Sequence, residues 1–147
     1  MIVEWFFGFH APRLRGFEGK IDFRYWLGHC EAWGYTADDT WIFLDPQGKG
    51  FKIRVMHKYD DVMCQLEARY AICESILKIK NDEPEFGLPP VCVMSCASIC
   101  GALVKIRALL PSTLKRKLLT NGAEIMHERV CDGRRLQGRS KGQVGQN

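Results

Sequence analysis

Gly28-His29-Cys30-Glu31-Ala32-Trp33, followed by Gly34-Tyr35-Thr36-Ala37-Asp38-Asp39 and then Trp41-Ile42-Phe43-Leu44-Asp45-Pro46, sets the architecture expected of the whole chain. Aromatic and branched residues flank a run of turn formers, which is the pattern of a β-hairpin. Partial apolar–polar alternation carries the first arm over residues 22–33. A turn centred near Ala37 pairs antiparallel residues whose numbers add to about 74 or 75. His29 then lies opposite Asp45 or Pro46, so an imidazole and a carboxylate sixteen residues apart become neighbours. The proline marks the strand end, where a carboxylate stays accessible. Glu31 lies two residues beyond His29 on the same strand face and is therefore the alternative acceptor; a register shift of one residue would favour a different neighbour altogether.

Working outward, Gln47-Gly48-Lys49-Gly50 supplies a second turn, and Phe51, Ile53 and Val55 alternate with Lys52, Arg54 and Met56 as a third strand of a meander. Residues 2–9 are dense in aromatic and branched types and form an opening strand, with a loop after it through Gly19. Asp60 is placed to cap a helix over 60–70, whose apolar face is Val62, Met63, Leu66 and Tyr70. A strand over 73–79 follows, then a proline-rich loop over 81–90. Ser95 has the chemistry of an N-cap for a buried helix starting at Cys96. Pro111 opens a last helix through Thr120, stopped by Asn121-Gly122. Leu114, Leu118 and Leu119 form its buried stripe, with Lys115, Arg116 and Lys117 on the solvated face. The expected fold is α+β: an antiparallel meander with a buried helix carrying Cys96, in one domain over 1–127, and a flexible basic tail over 128–147.

The position of Cys96 gives it chemical interest. A helix N-terminus lowers a thiol's pKa through unsatisfied N–H groups and the positive dipole end. The backbone N–H of Cys96 or Ala97 is also placed to receive the negative oxygen that develops when a thiolate attacks a carbonyl. A cysteine nucleophile wants a histidine base, and the histidine wants an acceptor to fix its tautomer. His29 and Asp45, with Glu31 as the alternative, meet those needs. Each residue also has an ordinary structural role: a buried thiol, a strand histidine bonded to backbone, a turn carboxylate before proline. Cys30, beside His29, faces the opposite side into the core. His10 and His57 have no carboxylate paired with them in sequence.

The quoted hairpin, from Gly28-His29-Cys30-Glu31-Ala32-Trp33 to Asp45-Pro46, resembles the histidine-to-aspartate hairpin of transglutaminase-like and papain-like enzymes. There the cysteine normally comes first; here Cys96 follows, as in the circularly permuted papain-like group that includes NlpC-type peptidases and phage-encoded relatives. Ser95-Cys96 with Ile99, Cys100, Leu103 and Val104, then Pro111-Ser112-Thr113-Leu114, is similar to the nucleophile helix and next helix of small phage-type members. The likeness covers residues 22–122. It implies hydrolysis or transfer at an amide or ester bond through a thioacyl intermediate, with peptidoglycan stem peptides as substrate. The alternative it implies is a non-catalytic virion or tail module of the same fold, partnered by other phage structural proteins.

Composition narrows the remaining classes. The chain has 147 residues, 46% hydrophobic and 26% charged, enough for one core. Charges at Lys105 and Arg107 interrupt the longest apolar region, so no membrane span is expected. The first ten residues lack the basic start of a signal peptide, which points to the cytoplasm of the producing cell, or to a virion under the alternative. Net charge is +4, and residues 128–147 carry five basic side chains (Arg129, Arg134, Arg135, Arg139, Lys141) against Glu128 and Asp132. A basic excess confined to a tail argues against a nucleic-acid partner. Seven cysteines, an odd number without framework spacing, indicate reduced thiols. Cys92, Cys96 and Cys100, spaced by four, would share one helix face, a poor enclosure for a tetrahedral ion, so neither metal nor cofactor is expected.

Overall fold

Thr36 ties off the hairpin with its own atoms. Its backbone N–H donates to the Thr40 carbonyl at 3.0 Å, and its hydroxyl accepts the Thr40 N–H at 3.1 Å. Asp39 takes a left-handed φ of 58°, which aspartate tolerates better than most residues. In the computed structural model, which describes residues 1–12, 27–47, 50–81 and 89–129, this turn joins strand β2 (His29–Thr36) to β3 (Trp41–Gln47). Strand β1 (Ile2–His10) precedes them and β4 (Gly50–Met56) follows. Next come helix α1 (Tyr59–Ile72), β5 (Ser75–Lys80), α2 (Cys96–Ala102), α3 (Pro111–Thr120) and β6 (Glu124–Glu128). The described strands form one sheet in the order β4-β3-β2-β1-β5-β6, antiparallel at every pairing. The class is α+β; β2 to β4 are the expected meander, and the opening strand β1 pairs onto it through β2.

Alternation distributes the side chains of this sheet between two cores. Trp5, Phe7, Phe9, Cys30, Ala32 and Leu77 pack with Ala97 and Cys100 of α2 and Leu114 and Leu118 of α3. Trp33, Phe43 and Ile76 pack with Val62 of α1 and with Cys73 in the other. The sheet is thus a middle layer, and the dense aromatic run of β1 reflects a central strand buried on both faces. Gly101 permits the return from α2 into the core: a Cβ there would stand 2.3 Å from the Ile106 carbonyl oxygen. That carbonyl's residue closes the turn, its N–H donating to the Gly101 carbonyl at 2.8 Å.

Several expectations need correction. Ala32 pairs with Leu44 and Tyr35 with Trp41, so partner numbers add to 76. The turn is centred on Asp38 because Tyr35 and Thr36, both strand formers, stay in the strand. Helix α1 starts at Tyr59 with Lys58 at the N-cap and no side-chain cap, so Asp60 lies inside the first turn. Tyr70 is exposed, and Arg69 takes the buried place on that stripe. Leu119 is likewise exposed. Strand β6 was not anticipated; it is a short, charged edge strand. Gly122, with φ of 86°, stops α3 as expected. The loop through Gly19, the Asp22 start of the first arm, the centre of the 81–90 loop and the tail from residue 130 lie outside the described residues. Among those described, no helix is long and apolar enough to cross a membrane.

Candidate active site

His29 opens β2 directly after Gly28, whose φ of 82° only glycine adopts without strain, and it pairs across to His10. Continuing the β2–β3 register sets Asp45 across from Glu31, so Asp45 reaches His29 along the diagonal between the strands. The contact is close: His29 Nε2 and Asp45 Oδ1 are 2.8 Å apart, with the side chains 15% and 25% exposed. Gln47 Nε2 donates to the other oxygen, Asp45 Oδ2, at 2.8 Å. That support comes from a residue two along the same strand, a spacing visible in the sequence though not exploited there. Glu31 is not the acceptor. Its carboxylate is taken by His10 Nε2 at 3.2 Å and Arg69 Nε at 3.0 Å.

Cys96 is the first residue of α2. Ser95 caps the helix, accepting the Ser98 N–H at 3.1 Å and donating its own hydroxyl to the Leu109 carbonyl at 2.7 Å. The Ile99 N–H is taken by the Ser95 carbonyl, so Cys96 and Ala97 contribute the remaining N–H groups of this first turn. Helix α2 lies on β2 and β3, which brings the Cys96 thiol into hydrogen-bonding contact with the His29 ring. The three side chains singled out from sequence, Cys96, His29 and Asp45, therefore meet at one place.

Their protonation follows from the surroundings. Burial alone pulls the His29 pKa down, but its hydrogen bonds with the accepting Asp45 carboxylate and with Cys96, together with their charges, outweigh it and hold His29 at about 9. Burial raises Asp45, and the bonds from His29 and Gln47 more than compensate, leaving it below the usual carboxylate value. The Cys96 thiol is pushed well above its ordinary value, first by its hydrogen-bonded neighbour Cys30 and then by burial, with His29 pulling the other way. This reverses the lowering expected at a helix start. The Cys30 thiol beneath it and the loss of water set the direction, and α2, only seven residues long, is a short helix.

Cys30 is fully buried, as expected, yet it touches Cys96, which the sequence did not disclose. Cys100 also packs there, its thiol 3.8 Å from the Cys30 carbonyl. Cys92 lies ahead of α2 in a turn, its N–H donating to Ser98 Oγ at 2.9 Å, so the three evenly spaced cysteines do not share a helix face. His10 does have a carboxylate, Glu31, contrary to expectation. His57 Nδ1 is 3.1 Å from the Thr40 hydroxyl. No protein-family model matches the chain, nor does any curated protein or solved structure.

Proposed function

We propose that the protein is a cysteine hydrolase or acyl transferase of the permuted papain-like kind, with Cys96 as nucleophile, His29 as general base and acid, and Asp45 as the group that orients His29. The observation that carries the reading is the 2.8 Å His29–Asp45 hydrogen bond beside a thiol at a helix start. Nucleophile, base and orienting carboxylate stand in the order such chemistry requires. With Nε2 turned to Asp45, Nδ1 is the ring nitrogen that serves the thiol.

The reaction has two halves. The Cys96 sulfur attacks the carbonyl carbon of an amide or ester as its proton passes to His29, and the N–H groups of Cys96 and Ala97 face the developing oxyanion. The C–N or C–O bond then breaks, and the leaving amine or alcohol takes the proton from His29. Water, or an acceptor amine, next gives a proton to His29 and attacks the thioester, which frees the acid or new amide and restores the thiol. Peptidoglycan stem peptides are the substrate class that the family likeness supplies.

At neutral pH both Cys96 and His29 carry their protons, and the working form, one proton shared between them, appears as pH rises through about 9. Alkylation by iodoacetamide with peptide mass mapping tests this, using exposed Cys64 as internal reference. Cys96 labelling is expected to accelerate through that pH, and His29→Ala to remove the acceleration without changing Cys64. A Cys96 that stays unlabelled in the folded chain at every pH removes the reading. The second reading, a non-catalytic virion or tail module, draws on the same high thiol pKa. It is favoured if Cys96 labels independently of His29 and no amine is released from stem peptides.

A further inference from the structure

On the opposite side of the sheet from α2, three potential ligands converge from three elements. His10 ends β1, Glu31 lies in β2, and Cys73 is the C-cap residue of α1. His10 Nε2 is 3.2 Å from Glu31 Oε1, Cys73 Sγ is 3.9 Å from His10 Nε2, and Cys73 Sγ is 4.0 Å from Glu31 Oε1. Around a tetrahedral zinc ion, with bonds of about 2.0–2.3 Å, neighbouring ligand atoms lie roughly 3.3–3.7 Å apart. The three atoms are therefore within a few tenths of an ångström of three corners of that tetrahedron.

The surroundings fix this arrangement. Glu31 turns Oε1 toward His10 and Cys73 because Arg69 Nε holds Oε2 at 3.0 Å. Arg69 is itself held, its guanidinium carbon 4.4 Å from the Phe43 ring centre and 5.5 Å from that of Trp33. A Cβ at Gly8 would stand 2.7 Å from the Cys73 sulfur, so the sulfur keeps its place only because that residue is glycine. Cys73 is fully buried and the Glu31 side chain 7% exposed, while that of His10, at 16%, faces the way in.

We propose that His10, Glu31 and Cys73 form a site for one zinc-class divalent cation per chain. Imidazole, carboxylate and thiolate together suit a borderline-soft ion and not magnesium or calcium. Binding displaces the Cys73 proton to solvent, and Arg69 serves as an outer-shell partner of the carboxylate. Three protein ligands leave a fourth position to solvent on the His10 side. The site borders the candidate active site, the His10 and His29 rings being 5.3 Å apart, but none of its ligands is Cys96, His29 or Asp45, and it does not depend on the hydrolase reading.

The test uses the full chain, stripped with EDTA and titrated with cobalt(II), a spectroscopic substitute for zinc. One cobalt per chain is expected, with the near-ultraviolet band of a cobalt–thiolate bond and the intense visible bands of tetrahedral geometry. Cys96→Ala is expected to keep the stoichiometry and all bands. Cys73→Ser should lose the thiolate band and fail to saturate at the cobalt concentrations that saturate the unaltered chain. If Cys73→Ser does not fold, His10→Gln, at the more exposed ligand, is expected to lose the thiolate band at the cobalt concentrations that saturate the unaltered chain. Absence of a thiolate band in the unaltered chain, its persistence in His10→Gln and Cys73→Ser, or its loss in Cys96→Ala would each overturn the proposal.

Discussion

Replacing Asp45 with asparagine keeps the shape of the side chain and removes its charge, which isolates what the carboxylate does to His29. His29 stands at about 9 against an ordinary 6.5. At about 1.36 kcal/mol per unit, the folded site favours the imidazolium by roughly 3 kcal/mol. Asp45 is the largest of the contributions that raise it. Loss of an opposite charge in hydrogen-bond contact lowers a pKa by about 1–3 units. The Asp45→Asn chain, freed of metal with EDTA, is therefore expected to show its Cys96 alkylation midpoint moved down by that amount. NMR titration of the His29 ring should follow it. Stability carries the same signature, with the sign set by the raised pKa. The His29 contribution is fully present below its unfolded value and disappears as pH climbs through about 9, so the unaltered chain weakens over that window and Asp45→Asn weakens less. An alkylation midpoint that does not move in Asp45→Asn refutes the coupling between the carboxylate and the thiol.

Other expected outcomes concern the scaffold. Arg69→Ala leaves the buried Glu31 carboxylate without its cation and is expected to cost about 3–5 kcal/mol in urea unfolding; a loss under about 1 kcal/mol would mean water takes the guanidinium's place. Leu114→Ala, at a fully buried position between α2 and the sheet, should cost about 2–5 kcal/mol by the same measurement. Gly101→Ala forces a Cβ against the Ile106 carbonyl oxygen and should destabilise by about 1–3 kcal/mol, with amide exchange fastest at residues 101–108. Full protection of that segment in the variant would show that the turn relaxes without cost.

The hairpin was legible because turn formers separate two alternating arms, and the ordered set His29, Asp45, Cys96 followed from the chemistry a thiol needs. The register was legible only to within two residues, since Thr36 closes the turn with its own hydroxyl and stays in the strand. Cys30 beneath Cys96 was not legible: its contact joins a strand to a helix more than sixty residues later, and local pattern says nothing about how α2 settles on the sheet. Arg69 was readable in part, because 62, 66 and 69 share one helix face, yet an arginine on an apolar stripe signals burial only once Glu31 is known to lie beneath it. Strand β6 escaped because Glu124-Ile125-Met126-His127-Glu128 is short, largely exposed and charged, features that protect a sheet edge and resemble a tail.

The central claim is that Cys96 carries an acyl group between two halves of one reaction. Rapid acid quench of the full chain with an activated ester above about pH 9, followed by intact-mass and peptide analysis, looks for that group directly. An acyl adduct on Cys96 that forms in a burst, decays with turnover and is missing from His29→Ala is the result the account requires. Turnover that continues unchanged in Cys96→Ala, or an adduct found only on exposed Cys64, would contradict it.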